Sequence, residues 1–167
     1  MLTSTDAADV LNLVETSAIN SLEADPWLKT GGSGGIGLIH PWALRPDRTY
    51  QAHELPAISV RAAGIVTTNH VAPAGTEDLA VVLVIEAIEA AADRNAAAAT
   101  AQRMAARLRR WLAEQNVPGG NRLDGLLDDG DGVVVPGAVS LLEEKKVEHV
   151  HRAVARVEAT VKLRAGV

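Results

Sequence analysis

From Ala153 to Leu163 the chain alternates without a break. Ala153, Ala155, Val157, Ala159, Val161 and Leu163 are apolar at every second place, with Val154, Arg156, Glu158, Thr160 and Lys162 between them. Successive side chains of a strand point to opposite faces, so a period of two predicts a strand with one dry and one wet face. Sliding this strand by one residue would move the whole apolar set into water, so burial fixes its register. Such a strand also demands a layer that covers its dry side, and that demand shapes the reading of the rest.

Two helices can supply the layer. Val10, Leu11, Val14, Ala18 and Leu22 recur at helical spacing within Asp6–Leu28, with Thr5 or Asp6 as the cap and Pro26 near the end. A second helix runs from a cap at Asp93 or Asn95 to about Glu114. Ala97, Ala101, Met104, Leu108, Trp111 and Leu112 form its dry face, Arg103, Arg107 and Arg110 another, and Asn116–Gly120 ends it. Pro56–Ala62 reads as a short strand, and Gly64–Gly75 as a turn region broken by Asn69 and Pro73. Leu79–Ile85 is apolar on both faces, as a central strand is, and Glu86 and Glu89 are expected where it leaves for water. An acidic, Gly-rich connection, Leu123–Gly137, holds a short Val133–Val135 strand, and a further strand around Ala138–Val147 can pair with the closing one. The order predicts one α+β domain over residues 1–167, a mixed or antiparallel four- to five-stranded sheet packed by two helices.

Between the first helix and the first strand lie five glycines in seven residues, Gly31 to Gly37, then His40-Pro41-Trp42, Arg45-Pro46-Asp47 and Tyr50. Glycine at this density is costly to order, so Gly31–Leu55 is expected to be a flexible loop or arm. Trp42 and Tyr50 would anchor it on a neighbouring subunit, and deletion of Gly31–Arg48 is expected to spare the fold.

The chain's 167 residues include 29 alanines but only three Trp, one Tyr and no Phe. Small side chains bury little area, and a core built from them gains from assembly with further copies. No apolar run approaches the roughly 18 residues that span a bilayer. Met1–Asp6 lacks the basic and apolar stretches of a signal peptide, which gives the expectation of a soluble protein made inside the cell. Without cysteine there is neither disulfide nor thiol chemistry, and a net charge of −5 argues against non-specific DNA binding.

The chemical motifs favour plain readings. Gly32-x-Gly34-x-x-Gly37 matches the dinucleotide fingerprint, but that motif needs a strand before it and a helix after, and the order here is the reverse. Asp124, Asp128, Asp129 and Asp131 lack the spacing of a calcium loop and read as a solvated turn. His149 and His151 are half of a zinc site. Arg94, Arg103, Arg107, Arg109 and Arg110 give the second helix a basic face without interleaved aromatics, so a solvated or intersubunit face is expected rather than a nucleic-acid stripe. No nucleophile elbow is present, and no catalytic, cofactor or metal residues are assigned.

The N-terminal helix, Leu55-Pro56-Ala57-Ile58-Ser59-Val60 as the first strand, the irregular stretch after it, the apolar strand Asp78–Ile85, the Ala/Arg-rich helix Arg94–Glu114 and the closing strand Ala153–Leu163 come in a telling order. Over most of the chain this order resembles the tail terminator (tail completion, neck) proteins of long-tailed bacteriophages and related phage-like particles. The resemblance implies a structural virion protein at the neck, made in the host cytoplasm. It implies a homo-oligomeric, hexameric ring that ends growth of the tail tube and joins the tail to the head connector. The tail tube protein and the connector (stopper) protein would be its partners, with DNA passing through the ring without sequence-specific contact. The candidate assembly contacts are Trp42, Tyr50, Arg103, Arg107, Arg110 and Arg156. Another neck or tail-tube component, or a small enzyme or ligand-binding α+β domain, is the alternative.

Overall fold

The computed structural model describes residues 9–72, 76–128, 132–143 and 149–166. It is an α+β fold: a five-stranded mixed sheet with two helices on one face. In chain order the elements are α1 (Val10–Ala24), β1 (Leu38–Pro41), β2 (Ala57–Ala72), β3 (Thr76–Ala91), α2 (Arg94–Glu114), β4 (Val133–Glu143) and β5 (His151–Gly166). Across the sheet the order is β1-β2-β3-β5-β4. Among the described strands only the β1–β2 pair is parallel.

The closing strand has the predicted register. Val157 and Val161 are fully buried, and Ala153, Ala155, Ala159 and Leu163 nearly so, in one cluster with both helices. Helix α2 lies over β3, β5 and β4, and α1 lies over β2 and β1. Asp93 caps α2, its side chain accepting the Asn95 N–H at 2.9 Å. Ala97, Ala101, Met104, Ala105, Leu108, Trp111 and Leu112 are the face that α2 buries. At α1 the N-cap is Asp9, whose side chain accepts from the Asn12 amide at 3.1 Å rather than from a helix backbone N–H; the expected caps Thr5 and Asp6 lie outside the described residues. The two helices are tied through Gln115, which accepts from the Ser21 hydroxyl at 3.1 Å and from the Leu123 N–H at 2.9 Å.

Three expectations need correction. The region read as a turn after Ala62 is largely strand, because β2 runs on to Ala72 with irregularities at Ala62/Gly64 and beyond Thr67 that absorb the poor strand formers. Pro73 and Gly75 lie outside the described residues. Likewise β3 does not leave for water at Glu86: it continues to Ala91, and Glu86 is 3 % exposed. The two strands expected at Val133–Val135 and about Ala138–Val147 form one strand, β4, bent by an irregularity between Pro136 and Val139, where proline cannot donate to the ladder.

The Gly31–Leu55 stretch is a built part of this domain. Ile36 and Ile39 belong to the core, and β1 adds a parallel strand to the sheet edge. The glycines fold into successive turns against Trp27: Gly34 N–H donates to the Trp27 carbonyl at 2.9 Å and Gly31 N–H to the Ile36 carbonyl at 2.8 Å. A Cβ on Gly34 would lie 2.6 Å from the Trp27 ring, so glycine is needed for close approach here rather than for looseness. After β1, two short 3-10 turns, Trp42–Leu44 and Ala52–Glu54, carry the chain back over the second face of its own sheet.

Candidate functional site

That second face is where the unusual chemistry lies. Strand pairing places His40 (β1), Ser59 (β2), Glu86 (β3), Arg156 (β5) and Ser140 (β4) in one transverse row. Paired residues in adjacent strands share a face, so five polar side chains cross the sheet side by side. His40, Ser59 and Glu86 are buried, while Ser140 at the edge is exposed.

Glu86 is the centre of the row. Its Oε1 accepts from Arg156 Nε at 3.1 Å, from Arg156 Nη2 at 2.8 Å and from Arg48 Nη2 at 3.2 Å. Arg48 arrives from the segment that folds over the sheet, and its Nη2 also stands 3.0 Å from Oε2. Arg48 thus neutralises both oxygens of the carboxylate. Oε2 is buried and accepts no hydrogen bond from any described group. Glu86 also lines a pocket of about 80 Å³, together with Trp42, Arg48, Ser59, Arg61, Val84 and Arg156. Arg61 lies 4.9 Å above the Trp42 ring, a cation–π contact, and has no carboxylate partner among the described residues. The lining therefore sets three guanidiniums against one carboxylate.

His40 next in the row is satisfied by its surroundings. Nδ1 lies 2.7 Å from the Pro41 carbonyl, which can only accept, so Nδ1 donates and Nε2 accepts from the Tyr50 hydroxyl at 2.8 Å. Burial pushes the imidazole below its ordinary value of 6.5, and Arg45 adds to this against the Pro41 carbonyl and Glu54. Burial likewise pushes the Tyr50 hydroxyl up to about 12, so it stays a donor. Arg45 in turn pairs with Glu54 at 2.5 Å and fastens the two 3-10 turns together. A second, wider pocket of about 470 Å³ opens at the sheet end between Tyr50, Leu55, Glu89 and Arg152. Burial raises the Glu89 carboxyl there above its usual range.

The residues singled out for assembly go to several places. Trp42 and Tyr50 contact their own sheet, through Arg61 and His40. Arg107 joins the helices by pairing with Asp25 at 2.6 Å, and with Glu114 at 3.2 Å. Arg110 makes a surface pair with Glu114 at 2.9 Å, and Arg103 is exposed. Arg156 is half-buried on Glu86, so the closing strand's second face is not simply wet; Val154 on that face is fully buried. Asp124 is held by Asn20 and Asp128 by Arg122, while Asp129 and Asp131 lie outside the described residues. No group of three potential metal ligands occurs among the described residues, and no described helix is long and apolar enough to cross a membrane.

Sequence reading missed Arg48, Ser59, Arg61 and Glu86. The available signal was Ile85-Glu86-Ala87-Ile88: the apolar run resumes after the acid, so Glu86 is embedded in the strand and needs a buried cation.

No protein-family model and no curated protein matches the chain. The functional reading therefore rests on the molecule's own surfaces.

Proposed function

We propose that the chain is a structural subunit of a phage-type neck, assembling into a hexameric ring that ends the tail tube and joins it to the head connector. The observation that carries the reading is a pair of unlike, opposite sheet edges. At one side β1 pairs only with Ala57–Val60, so β2 from Arg61 onward has no strand partner beyond β3 among the described residues. At the other side lies β4, which among the described residues pairs with β5 alone. Five of the nine large apolar side chains exposed on the described surface, Ile65, Val66, Val135, Val139 and Leu141, sit on these two edges. That concentration favours edges meant to be covered over a scattered surface remainder.

Two different edges on opposite sides of one subunit make a heterologous contact, β4 of one copy against β2 of the next. Repeated contacts of that kind close into a ring when the rotation allows. A fold with a small-residue core gains burial from each such contact. The edge already carries one device against misuse: the Glu15 carboxylate of α1 accepts the Ala62 N–H at 3.2 Å and satisfies one edge donor.

The test is Val139→Lys with Leu141→Lys, both exposed in the monomer. The pair is expected to leave thermal unfolding within a few degrees of wild type and to reduce the assembled species to monomer. Unchanged assembly would remove β4 from the interface.

A further inference from the structure

The two open edges carry marks that fix how one copy meets the next, an inference that rests on the assembly reading above. Val134 of β4 is already engaged on its outer side. Its N–H donates to Asn116 Oδ1 at 2.8 Å, and its carbonyl accepts from Asn116 Nδ2 at 2.7 Å. Along an antiparallel strand, successive residues turn both backbone groups to one side and then the other. Val134 lies opposite Val161, so Val161 turns towards β3, and the unbroken β3–β5 register carries the alternation on to Val157 and Ala155. Val139 and Leu141, opposite those two, therefore turn their N–H and C=O outward, where no described group meets them. On β3, Val81 and Leu79 turn towards β5, so Ile65 and Thr67 opposite them turn outward from β2. Ala62 faces the same way, and Glu15 holds its N–H.

We propose that these stretches form the intersubunit ladder in one register: Leu141 of one copy opposite Ile65 of the next, Val139 opposite Thr67, and Ser140 opposite Val66 between them. Three antiparallel steps separate β2 from β4, so a copy set alongside in the same orientation brings its β2 antiparallel to β4. Val139 and Leu141 share the helix side of the sheet with Val157 and Ala155, and Ile65 shares it with Val81, so exposed apolar side chains meet on that side. Residues 64–67 are the regular piece of β2 between the irregularities at Ala62/Gly64 and Thr67/Asn69. In this register they meet residues 139–142 one for one. A shift of two residues either way sets Leu141 or Val139 against one of those irregularities. Asn116 and Glu15 act as stops at the two ends of the ladder, because Val134 and Ala62 are satisfied within the subunit and Pro136 has no N–H to offer.

The chain has no cysteine, so introduced pairs report the register without background. Ser140 and Val66, both exposed, would oppose each other as a non-hydrogen-bonded pair with Cα atoms about 4.5 Å apart, a span that a disulfide bridges. Diagonal neighbours lie about 7–8 Å apart, too far for one. The full chain carrying Ser140→Cys with Val66→Cys, oxidised with diamide at high micromolar concentration, is expected to run as covalent oligomers on a non-reducing gel. Two diagonal pairs, Ser140→Cys with Gly64→Cys and Leu142→Cys with Val66→Cys, are expected to stay at the single-chain mass; a Cβ on Gly64 meets no atom within 4 Å. Linkage in a diagonal pair instead, or in Ser140→Cys alone, which would set β4 against β4, overturns the register. Native mass spectrometry of the same variants in reduced form separates the two failures. An oligomer that the Ser140→Cys, Val66→Cys pair leaves unlinked overturns this register and spares the assembly reading, whereas a monomer at every concentration removes both.

Discussion

Reversing Arg156 separates the alternation read from sequence from the packing seen in the structure. On a wet face Arg156→Glu would change stability by no more than about 0.5 kcal/mol. In the structure two nitrogens of Arg156 donate to Glu86 Oε1, at 3.1 and 2.8 Å, and Glu86 is 3 % exposed. Reversal turns an attraction into a repulsion. One pair of unit charges about 4 Å apart at an effective dielectric of ~20 is worth about 4 kcal/mol. Two features reduce the loss: Arg48 stays paired with Glu86, and the Arg156 side chain is 32 % exposed. A loss of about 3–5 kcal/mol is expected for Arg156→Glu, and about 1–3 kcal/mol for Arg156→Ala, which leaves Glu86 one cation. Changing Glu86 and Arg156 together to Leu removes the buried charge and should recover at least half of the loss. Urea unfolding followed by tryptophan fluorescence reads all three, with Trp111 buried as the reporter. An Arg156→Glu protein as stable as wild type would refute the reasoning and return Arg156 to an open surface.

Val157→Asp puts a carboxylate at a fully buried position among the helices, and calorimetry should show a loss of about 3–5 kcal/mol or no folded protein. Gly34→Ala places a methyl 2.6 Å from the Trp27 ring and is expected to lower the unfolding free energy measured in urea by about 1–3 kcal/mol; a neutral outcome would mean that this turn is loose after all. Because burial holds the His40 imidazole below 6.5, the unfolded chain takes up a proton that the folded one resists. Stability should therefore fall as pH drops through 6.5, and the His40→Gln curve should be flatter over that interval; parallel curves would show that His40 titrates freely.

The sequence was most legible where one face of an element meets one uniform environment. The alternation from Ala153 to Leu163 and the α2 stripe from Ala97 to Leu112 each have a dry side set by the same two-layer core, so periodicity suffices. It failed where both sides are buried for different reasons. Glu86 reads as an exit from the sheet because its cations, Arg48 and Arg156, lie 38 and 70 residues away and carry no periodic mark. The Gly31–Leu55 stretch reads as an arm because glycine serves looseness and close approach alike. Only the position of Trp27 against Gly34 tells the two apart. Residues marked for assembly by type, Arg107, Trp42 and Tyr50, were claimed by contacts within the subunit, while the exposed apolar edge residues Ile65, Val139 and Leu141 stood in stretches read for turns and hairpins.

Assembly into a closed ring through unlike sheet edges is the central claim, and native mass spectrometry of the purified chain at high micromolar concentration measures it most directly. A dominant species at six times the 17.5 kDa subunit mass is expected, lost in the Val139→Lys, Leu141→Lys variant while the monomer stays folded. A single 17.5 kDa species at every concentration, or a twofold dimer that the edge variant leaves unchanged, would contradict it.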